Sequence, residues 1–203
     1  MRKIFITGTG TDIGKTVVAA IVTEALQADY WKPVQTGAYH STDAQMVEFL
    51  ISNSKTVIHP EKYSFLQPMS PHAAAENEGI KISLLDIELP KTDNTLVIEG
   101  AGGVLVPLND KEFIVDMIKK FDAETIVVLQ NYLGSINHSL LTIEALMKRN
   151  INILGVVING ATHKASEDII FNYTGLKCLG KIQKESNLNK AVILKYAKLF
   201  SIV

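Results

Sequence analysis

The feature that most constrains this sequence is a glycine-rich segment near its N-terminus. Residues 7–16 read Thr-Gly-Thr-Gly-Thr-Asp-Ile-Gly-Lys-Thr. The preceding apolar run, 4–6, has the pattern of a buried strand, and the apolar residues from Val17 onward predict a helix. A strand, a glycine-rich turn, Gly-Lys-Thr and a helix in this order predict a phosphate-binding loop.

A phosphate-binding loop gives each part of this segment a task. Its backbone N–H groups face an anion, and the helix N-terminus adds a favourable dipole. Lys15 is expected to reach the β- and γ-phosphates, and the Thr16 hydroxyl is expected to bind Mg²⁺. The strict pattern has a glycine five residues before Gly14, whereas this chain has Thr9 there, flanked by glycines. The alternative is an ordinary turn with a solvated lysine, which does not explain why the segment directly follows the first buried strand.

The composition narrows the classes of protein. The chain has 203 residues, of which 47% are hydrophobic and 20% charged, and this suits one globular domain over residues 1–203. A net charge of −1 gives no electrostatic reason to expect nucleic acid or an anionic membrane as a partner. Cys178 is the only cysteine, which excludes a disulfide framework and a cysteine-based metal centre and favours a small packed residue near a strand. No metal-site spacing relates His40, His59, His72 and His163.

The sequence also bears on location. No apolar run approaches the ~20 residues that a membrane-spanning helix needs. The first residues lead directly into the strand before the loop, so a cleaved leader would remove part of the predicted site. We therefore expect a cytoplasmic protein.

Apolar strand-like runs alternate with helical patterns along the chain. We predict strands at 3–7, 29–33, 95–99, 125–130, 153–159 and 178–182. We predict helices at 15–27, 42–52, 112–121, 136–150, 164–174 and 187–200. Continuous apolar strands indicate a sheet buried on both faces, and therefore a mostly parallel, doubly wound α/β fold in one domain. The region 59–82 contains three prolines and is interpreted as irregular, with a short helix at 73–76.

Ligands of such folds bind at the carboxyl ends of the strands, so the residues that follow each strand matter most. Lys32 lies at the end of the second predicted strand, where its charge can meet a phosphate or a carboxylate-like group. An ordinary surface lysine is the alternative, and both stay open. Thr36 lies in a polar turn that can hydrogen-bond a substrate. Asp43 can cap a helix or lie near Mg²⁺, and the cap is preferred from the residues alone.

The run 95–99 gives a stronger signal, because it is an apolar strand that ends in Glu99. Phosphate-loop enzymes place an acid at this point for the metal or the water. The glycines among residues 100–103 allow the backbone to approach an anion closely. A buried carboxylate is costly unless it is paired or metal-bound, which favours a functional role for Glu99.

Two later strand ends carry weaker signals. Ser135 lies in the turn after the fourth strand, where it can cap a helix or the turn can present N–H groups to a carboxylate. His138 lies inside the following helix and is interpreted as structural. Asn159 ends the fifth strand, and its amide suits an adenine edge as well as a plain turn.

Taken in order, these segments resemble the dethiobiotin synthetases. The matching segments are Thr-Gly-Thr-x-Thr-Asp-x-Gly-Lys-Thr at 7–16, Lys-Pro-Val-x-Thr-Gly at 32–37, Asp43, Tyr-x-Phe at 63–65, Pro-x-Ser-Pro-His at 68–72, Glu-Gly-Ala-Gly-Gly at 99–103, Leu-Gly-Ser-Ile-Asn-His at 133–138 and Asn159. A phosphate loop alone is common, whereas this ordered series spans most of the chain and is much more specific. Members of the family often carry a proline after a late Gly-x-Ile strand, where this chain has Gln183.

The resemblance implies a reaction in which 7,8-diaminononanoate, CO₂ and ATP give dethiobiotin, ADP and phosphate with Mg²⁺. One amine captures CO₂ as a carbamate, and a carbamate oxygen attacks the γ-phosphate. The second amine then closes the urea ring and expels phosphate. The resemblance also implies a homodimer, in which the 133–137 turn binds the substrate carboxylate across the interface, and a phosphate-loop fold that agrees with the predicted sheet.

The resemblance further implies a role for individual residues. Lys15 and Lys32 are the catalytic cations, and the metal ligands are Thr16, Asp43 and Glu99. The implied nucleotide-binding residues are Thr11, Asp12, Ile13, Gly14, Lys15, Thr16, Val17, Asp43, Glu99, Gly100, Ala101, Gly102 and Asn159. The implied substrate-binding residues are Thr36, Pro71, Leu133, Gly134, Ser135, Ile136 and Asn137.

The main alternative is a nucleotide-switched regulator, such as a partitioning or septum-positioning ATPase of the same superfamily. Those proteins carry a lysine five residues before the loop lysine, where this chain has Gly10. A GTP switch would need Asn-Lys-x-Asp after a late strand, and this chain has Asn-Gly-Ala-Thr at 159–162. An electron-transfer ATPase would need cluster-binding cysteines, and an amidotransferase-type ligase would need a glutaminase domain, for which this sequence shows no segment.

Overall fold

Parallel strands at the centre of the molecule carry the candidate site. The computed structural model describes residues 1–39 and 41–200, so the histidine-spacing prediction at His40 lies outside the described residues. The strands are β1 (Lys3–Gly8), β2 (Asp29–Trp31), β3 (Val34–Thr36), β4 (Ile58–His59), β5 (Tyr63–Phe65), β6 (Leu96–Glu99), β7 (Glu124–Leu129), β8 (Ile153–Asn159) and β9 (Cys178–Ile182). The helices are α1 (Lys15–Leu26), α2 (Asp43–Leu50), α3 (Pro71–Asn77), α4 (Ile114–Phe121), α5 (Ser135–Met147), α6 (Lys164–Thr174) and α7 (Lys190–Ala197), with a 3₁₀ turn at Leu84–Asp86.

The main sheet has the strand order β4-β2-β6-β1-β7-β8-β9, and every pairing in it is parallel. The chain leaves β1 toward β2 on one side, and later continues through β7, β8 and β9 on the other. The strand order therefore reverses at β1, and the crevice at its carboxyl end is where α/β sheets of this kind bind ligands. The phosphate-loop segment lies at that point.

Both faces of the sheet are covered, which confirms the predicted doubly wound α/β fold. Alternate residues of β1 belong to different cores: Ile4 and Ile6 pack with α1, α2 and α7, whereas Phe5 packs with α4 and α5. This alternation follows from the strand geometry, in which successive side chains point to opposite faces. A buried residue at nearly every position of β1 is the consequence.

The register of the sheet brings three strand ends together. Ile6 of β1 pairs with Glu99 of β6, and Trp31 of β2 pairs with Ile98. Lys32, one residue past β2, therefore lies next to Glu99. The phosphate loop and these two charged residues share one edge of the sheet.

The structure differs from the predicted elements after β2. The predicted strand 29–33 ends at Trp31, since Pro33 has no N–H to continue the ladder. The chain then forms β3, which pairs with β5 in a separate two-stranded sheet. The interpretation of 59–82 as irregular is wrong in part, because β5 and α3 lie within it. The predicted short helix at 73–76 is confirmed as part of α3, which begins at Pro71 with proline in its first turn.

The remaining differences are smaller. The helices predicted at 42–52, 112–121, 136–150 and 187–200 are present but shorter, and only the strand 153–159, the strand 178–182 and the helix 164–174 keep their predicted bounds. The prediction that Cys178 is packed is wrong, because it lies exposed at the start of β9, an edge strand of the main sheet. No helix in the described part of the chain is long and apolar enough to cross a membrane.

Asp29 holds the amino ends of β2 and β6 together at the edge opposite the loop. Its carboxylate is 2% exposed and accepts hydrogen bonds from Val57 N at 3.0 Å, Thr92 Oγ1 at 2.6 Å and Asn94 Nδ2 at 3.2 Å. Burial alone would raise the pKa of Asp29, but these donors outweigh it and lower that pKa. The ionised carboxylate is therefore the form that stabilises the fold.

We expect Asp29→Asn to lower the free energy of unfolding at pH 7 by about 2 kcal/mol, because an amide cannot accept all of these bonds. A carboxylate whose pKa is lower in the folded state stabilises the fold above its unfolded pKa of about 3.9, and that stabilisation is lost as the pH falls through the folded-state pKa. The difference between variant and wild type should therefore shrink below about pH 4. Denaturant unfolding at several pH values measures it, with the exposed Asp93→Asn as control. An equal loss at every pH would contradict the assignment.

Candidate active site

The phosphate-loop segment has the backbone of a compact anion-facing turn. Asp12 and Gly14 both adopt the left-handed conformation, with φ of 58° and 88°. A Cβ on Gly14 would lie 2.1 Å from Asn159 Nδ2. That amide nitrogen donates to Ile13 O at 2.9 Å, so the end of β8 supports the turn from behind. Glycine is required at this position both for its conformation and for the close approach of Asn159.

Lys15 is folded back over the turn. It is 6% exposed, and its Nζ donates to Gly10 O at 2.6 Å. Burial lowers the pKa of Lys15 to about 8, although Glu99 pulls it upward. Lys15 thus supplies a poorly hydrated positive charge at the mouth of the turn, where a bound anion would raise its pKa again.

Three oxygens converge beside this lysine. Thr16 Oγ1 lies 3.0 Å from Asp43 Oδ1 and 2.9 Å from Glu99 Oε1. Among the residues described, no group of three His, Cys, Asp or Glu side chains could hold a metal ion. The convergent set contains two carboxylates and a hydroxyl instead. Hard oxygen donors of this kind, supplemented by water and phosphate oxygens, are what Mg²⁺ takes in nucleotide sites.

Lys32 supplies the positive charge that balances the two carboxylates of this cluster. Its Nζ is ion-paired to Asp43 Oδ2 and lies 3.2 Å from Glu99 Oε1. Burial alone would lower the pKa of Lys32, but Glu99 and then Asp43 outweigh it and raise that pKa. The pKa of Asp43 is lowered, since Lys32, Thr16 and Lys15 together outweigh its burial. Both partners therefore stay ionised.

These groups open onto one cleft of about 800 Å³, a size suited to a nucleotide or another small ligand. Of the residues that the sequence predicts, the cleft is lined by Thr11, Asp12, Gly14, Lys15, Thr16, Val17, Lys32, Thr36, Asp43, Pro71, Glu99, Ala101 and Gly102. The structure thus brings together segments that are up to about ninety residues apart in sequence.

Several predicted site residues lie elsewhere. Ile13 points into the core, and Gly100 is buried against Phe5 and Ile114. Asn159 lines a separate pocket of about 510 Å³ together with Gln130, Gly160, Ala161, Gln183 and Lys184. The predicted substrate-binding turn of Leu133, Gly134, Ser135, Ile136 and Asn137 is not part of the cleft wall, and Leu133 is fully exposed.

Comparisons with known proteins identify the family of this chain. A family model described as an AAA domain matches residues 2–192. A protein of Cytophaga hutchinsonii named ATP-dependent dethiobiotin synthetase BioD is 53% identical over 202 residues, with 98% of each chain covered. A Christiangramia forsetii protein of the same name is 48% identical, with 98% of this chain and 96% of that protein covered. The chain belongs to the dethiobiotin synthetase family.

Solved structures share the fold at much lower identity. A plasmid partition protein of Borrelia burgdorferi matches with a TM-score of 0.57 at 13% identity, covering 98% of this chain and 95% of that one. The cell division ATPase MinD of Pyrococcus furiosus matches with a TM-score of 0.58 at 14% identity, covering 98% of each. These likenesses extend to the fold alone. The high identity to the synthetase family disfavours the alternative of a nucleotide-switched regulator.

Some residues of the cleft were missing from the predicted site. Gln35 accepts a hydrogen bond from Asp43 N at 3.0 Å and so fixes the start of α2. Gly37, Ser41, Met46, Pro68, Met69, Ser70 and Val106 also line the cleft. The family resemblance includes the Pro-x-Ser-Pro-His motif at 68–72, but an irregular segment gives no reason to expect the side chains of residues 68–70 at the site. β3 and β5 bring it there.

Tyr30 is a second omission. Its hydroxyl donates to Glu99 Oε2 at 2.8 Å, deep beneath the cleft. Burial and then the carboxylates of Glu99 and Asp43 raise the pKa of Tyr30 well above its usual value, so the phenol remains a donor. In the sequence this residue has no feature that distinguishes it from a core aromatic residue of a buried strand.

We expect Gly14→Ala to abolish detectable binding of ATP, because the added Cβ would collide with Asn159 and would strain a left-handed residue. Gly175→Ala is the matched control, since Gly175 is also left-handed, with φ of 67°, but lies outside the cleft and has nothing within 4 Å of its added Cβ. Calorimetric titration with a non-hydrolysable ATP analogue measures both. If the two variants bind equally well, the turn does not hold the phosphates as described.

Proposed function

We propose that this chain catalyses the ATP-dependent joining of 7,8-diaminononanoate and CO₂ to dethiobiotin, releasing ADP and phosphate. The observation that carries the proposal is the cluster of Lys15, Lys32, Asp43 and Glu99 at the phosphate loop. The relatives named ATP-dependent dethiobiotin synthetase match over almost the whole length of the chain, which supports it further. The enzyme is thus a ligase that uses ATP to form carbon–nitrogen bonds.

We propose Mg²⁺ as its metal, held by Thr16, Asp43 and Glu99. The convergence of their three oxygens supports this assignment, since Thr16 Oγ1 lies within 3.0 Å of both carboxylates. When bound, Mg²⁺ would neutralise charge on the phosphates. The chain's own contribution is to hold hard oxygen ligands beside the loop and to keep Lys32 between the two carboxylates in the free protein.

Lys15 and Lys32 offset the repulsion between the two anionic reactants. A carbamate and a triphosphate are both anions, so bringing a carbamate oxygen against the γ-phosphorus requires cations between them. Lys15 lies at the end of the phosphate loop, and Lys32 lines the same cleft, as does Thr36. Attack of the carbamate oxygen forms a P–O bond and breaks the bond to ADP. Alignment rather than acid–base chemistry governs this step.

The product of this attack is a carbamic–phosphoric anhydride, and ring closure starts from it. The second amine attacks the carbamoyl carbon, a C–N bond forms, and the C–O bond to phosphate breaks. The amine loses its proton, and phosphate leaves with the oxygen that came from CO₂. Thr36 and Pro71, which also line the cleft, are the proposed contacts for the diamine.

The fate of that oxygen tests the proposed function. Purified protein is incubated with the diamine, ATP, Mg²⁺ and ¹⁸O-labelled CO₂, and both products are analysed at early times by mass spectrometry. We expect ring-closed dethiobiotin and one ¹⁸O atom in each phosphate released. Unlabelled phosphate would exclude the anhydride route, and the absence of a ring-closed product would refute the function itself.

Lys32→Met should lower turnover by on the order of 100- to 1,000-fold, because it removes a charge aimed at the developing anion while keeping a similar side-chain volume. Binding of Mg²⁺ and a non-hydrolysable ATP analogue should persist. Lys181→Met is the matched control, since Lys181 also pairs with a buried carboxylate, Glu167, but lies outside the cleft. Steady-state kinetics and calorimetry measure the two effects. Near-normal turnover in Lys32→Met would remove this lysine from the mechanism.

We also propose that the nucleobase enters the pocket of Asn159, Gly160, Ala161, Gln183 and Lys184. Asn159 supports this assignment, because it lines the pocket and its amide also donates to the backbone of the phosphate loop. Gln183 stands there in place of the usual proline of the family. The purine contacts of this chain therefore differ from those of relatives that carry the proline.

A homodimer completes the proposed site. The turn 133–137, which the family resemblance assigns to the substrate carboxylate, lies outside the cleft of its own chain. It carries exposed apolar side chains that continue along α5, namely Leu133, Ile136 and Leu141. If the turn binds substrate in the cleft of a second copy, the exposed apolar patch beside it would be buried in the interface between the two copies.

We expect Leu133→Asp to convert the dimer to monomer and to raise the KM for the diamine, because a charge would be buried at the interface. Leu85→Asp is the control, since Leu85 is equally apolar and also strongly exposed. Sedimentation velocity reports the mass of each variant. A wild-type protein that sediments as a monomer while turning over normally would refute the dimer.

A further inference from the structure

The two carboxylate oxygens of Glu99 have different surroundings. Oε1 faces the cleft, where Thr16 Oγ1 lies at 2.9 Å and Lys32 Nζ at 3.2 Å. Oε2 faces the interior, where the structure gives it one donor among the residues described, the hydroxyl of Tyr30 at 2.8 Å. The whole residue is only 1% exposed, so these protein groups, rather than bulk solvent, fix the surroundings of both oxygens.

The placement of Tyr30 follows from the strands. Tyr30 lies in β2 and Lys32 lies one residue past its end, and both reach the carboxylate of Glu99. Tyr30 pairs with Val97, which is two residues before Glu99 on β6. Tyr30 thus approaches the carboxylate from below, while Lys32 approaches it from the cleft side.

Tyr30 has no access to a ligand. It is fully buried in the core with Val97 and with residues of α1, and it is absent from the cleft wall. Any effect of its hydroxyl on the reaction must therefore act through Glu99. A carboxylate held at one oxygen loses its freedom to rotate about its terminal bond, so the other oxygen keeps a fixed direction.

We propose that Tyr30 is a positioning residue that fixes Glu99 with Oε1 directed at the metal site. The inference rests on the proposed Mg²⁺ site and deepens it. Without the phenol hydroxyl, the buried Oε2 has no partner, and the carboxylate gains from turning toward Thr16 and Lys32 with both oxygens. The oxygen set that Mg²⁺ meets would then lose its preformed geometry.

Tyr30→Phe tests this by removing one oxygen atom while keeping the ring in the core. The measured quantity is the ratio of the dissociation constants of a non-hydrolysable ATP analogue in EDTA and in saturating Mg²⁺. We expect Tyr30→Phe to reduce this ratio by about 10-fold, the lower end of what loss of an outer partner of a metal ligand costs. The metal-free dissociation constant should stay within about twofold of the wild-type value, because Tyr30 does not itself line the cleft and acts there through Glu99, a proposed metal ligand.

Tyr196→Phe is the matched control. Tyr196, on α7, is likewise a buried tyrosine, and its hydroxyl donates to Glu185, which lies before that helix, at 2.6 Å. The Tyr196→Phe variant should keep the wild-type ratio of dissociation constants, even if its thermal unfolding midpoint falls as far as that of Tyr30→Phe. A reduced ratio in both variants, or in neither, would overturn the inference and leave Tyr30 a structural residue.

A double-mutant cycle with Glu99→Gln separates positioning from general destabilisation. If Tyr30 acts through Glu99, Tyr30→Phe should have no further effect on the ratio in the Glu99→Gln background. A full additional loss there would contradict the inference.

If the wild-type protein binds the analogue equally well with and without Mg²⁺, the proposed metal site fails and the role of Tyr30 fails with it. A wild-type preference that survives intact in Tyr30→Phe refutes the role of Tyr30 alone.

Discussion

The structure depends on a balance of buried charge at the carboxyl end of its central strands. Lys32 and Glu99 are almost completely buried, and Asp43 is ion-paired to Lys32. Burial lowers the pKa of Lys15, which lies close enough to Glu99 for that carboxylate to offset part of the effect. Any one of these charged groups, buried here without a partner, would strongly destabilise the fold. Paired, they form a set whose charges nearly cancel and whose oxygens already converge.

This balance explains why the surrounding elements take their form. The parallel register places Glu99 beside the end of β1 and next to Lys32, while the separate sheet of β3 and β5 brings α2 and the 68–71 segment over the same point. The glycine-rich turn closes the remaining side. A metal ion and a triphosphate would enter a cluster that already holds complementary charges of both signs, so little reorganisation is needed on binding.

Much of this could be predicted from the sequence, because the informative residues follow directly after apolar runs. The positions of Lys32 and Glu99 at strand ends required only the strand pattern and the rule for parallel sheets. β3 and β5 could not be predicted, because strands of three residues between prolines have no measurable periodicity. The contact of Tyr30 with Glu99 depends on register, and the exposure of Leu133 depends on where a turn leaves the sheet. Both are properties of the tertiary structure.

The central claim is that the charge cluster holds the triphosphate and its metal in line with a carbamate. A crystal structure with Mg²⁺ and a non-hydrolysable ATP analogue tests it most directly. The account predicts the triphosphate along residues 8–16, the metal among Thr16, Asp43 and Glu99, and Lys32 turned toward the γ-phosphate. A triphosphate bound elsewhere, with Lys32 still paired to Asp43 and no metal beside Glu99, would contradict it.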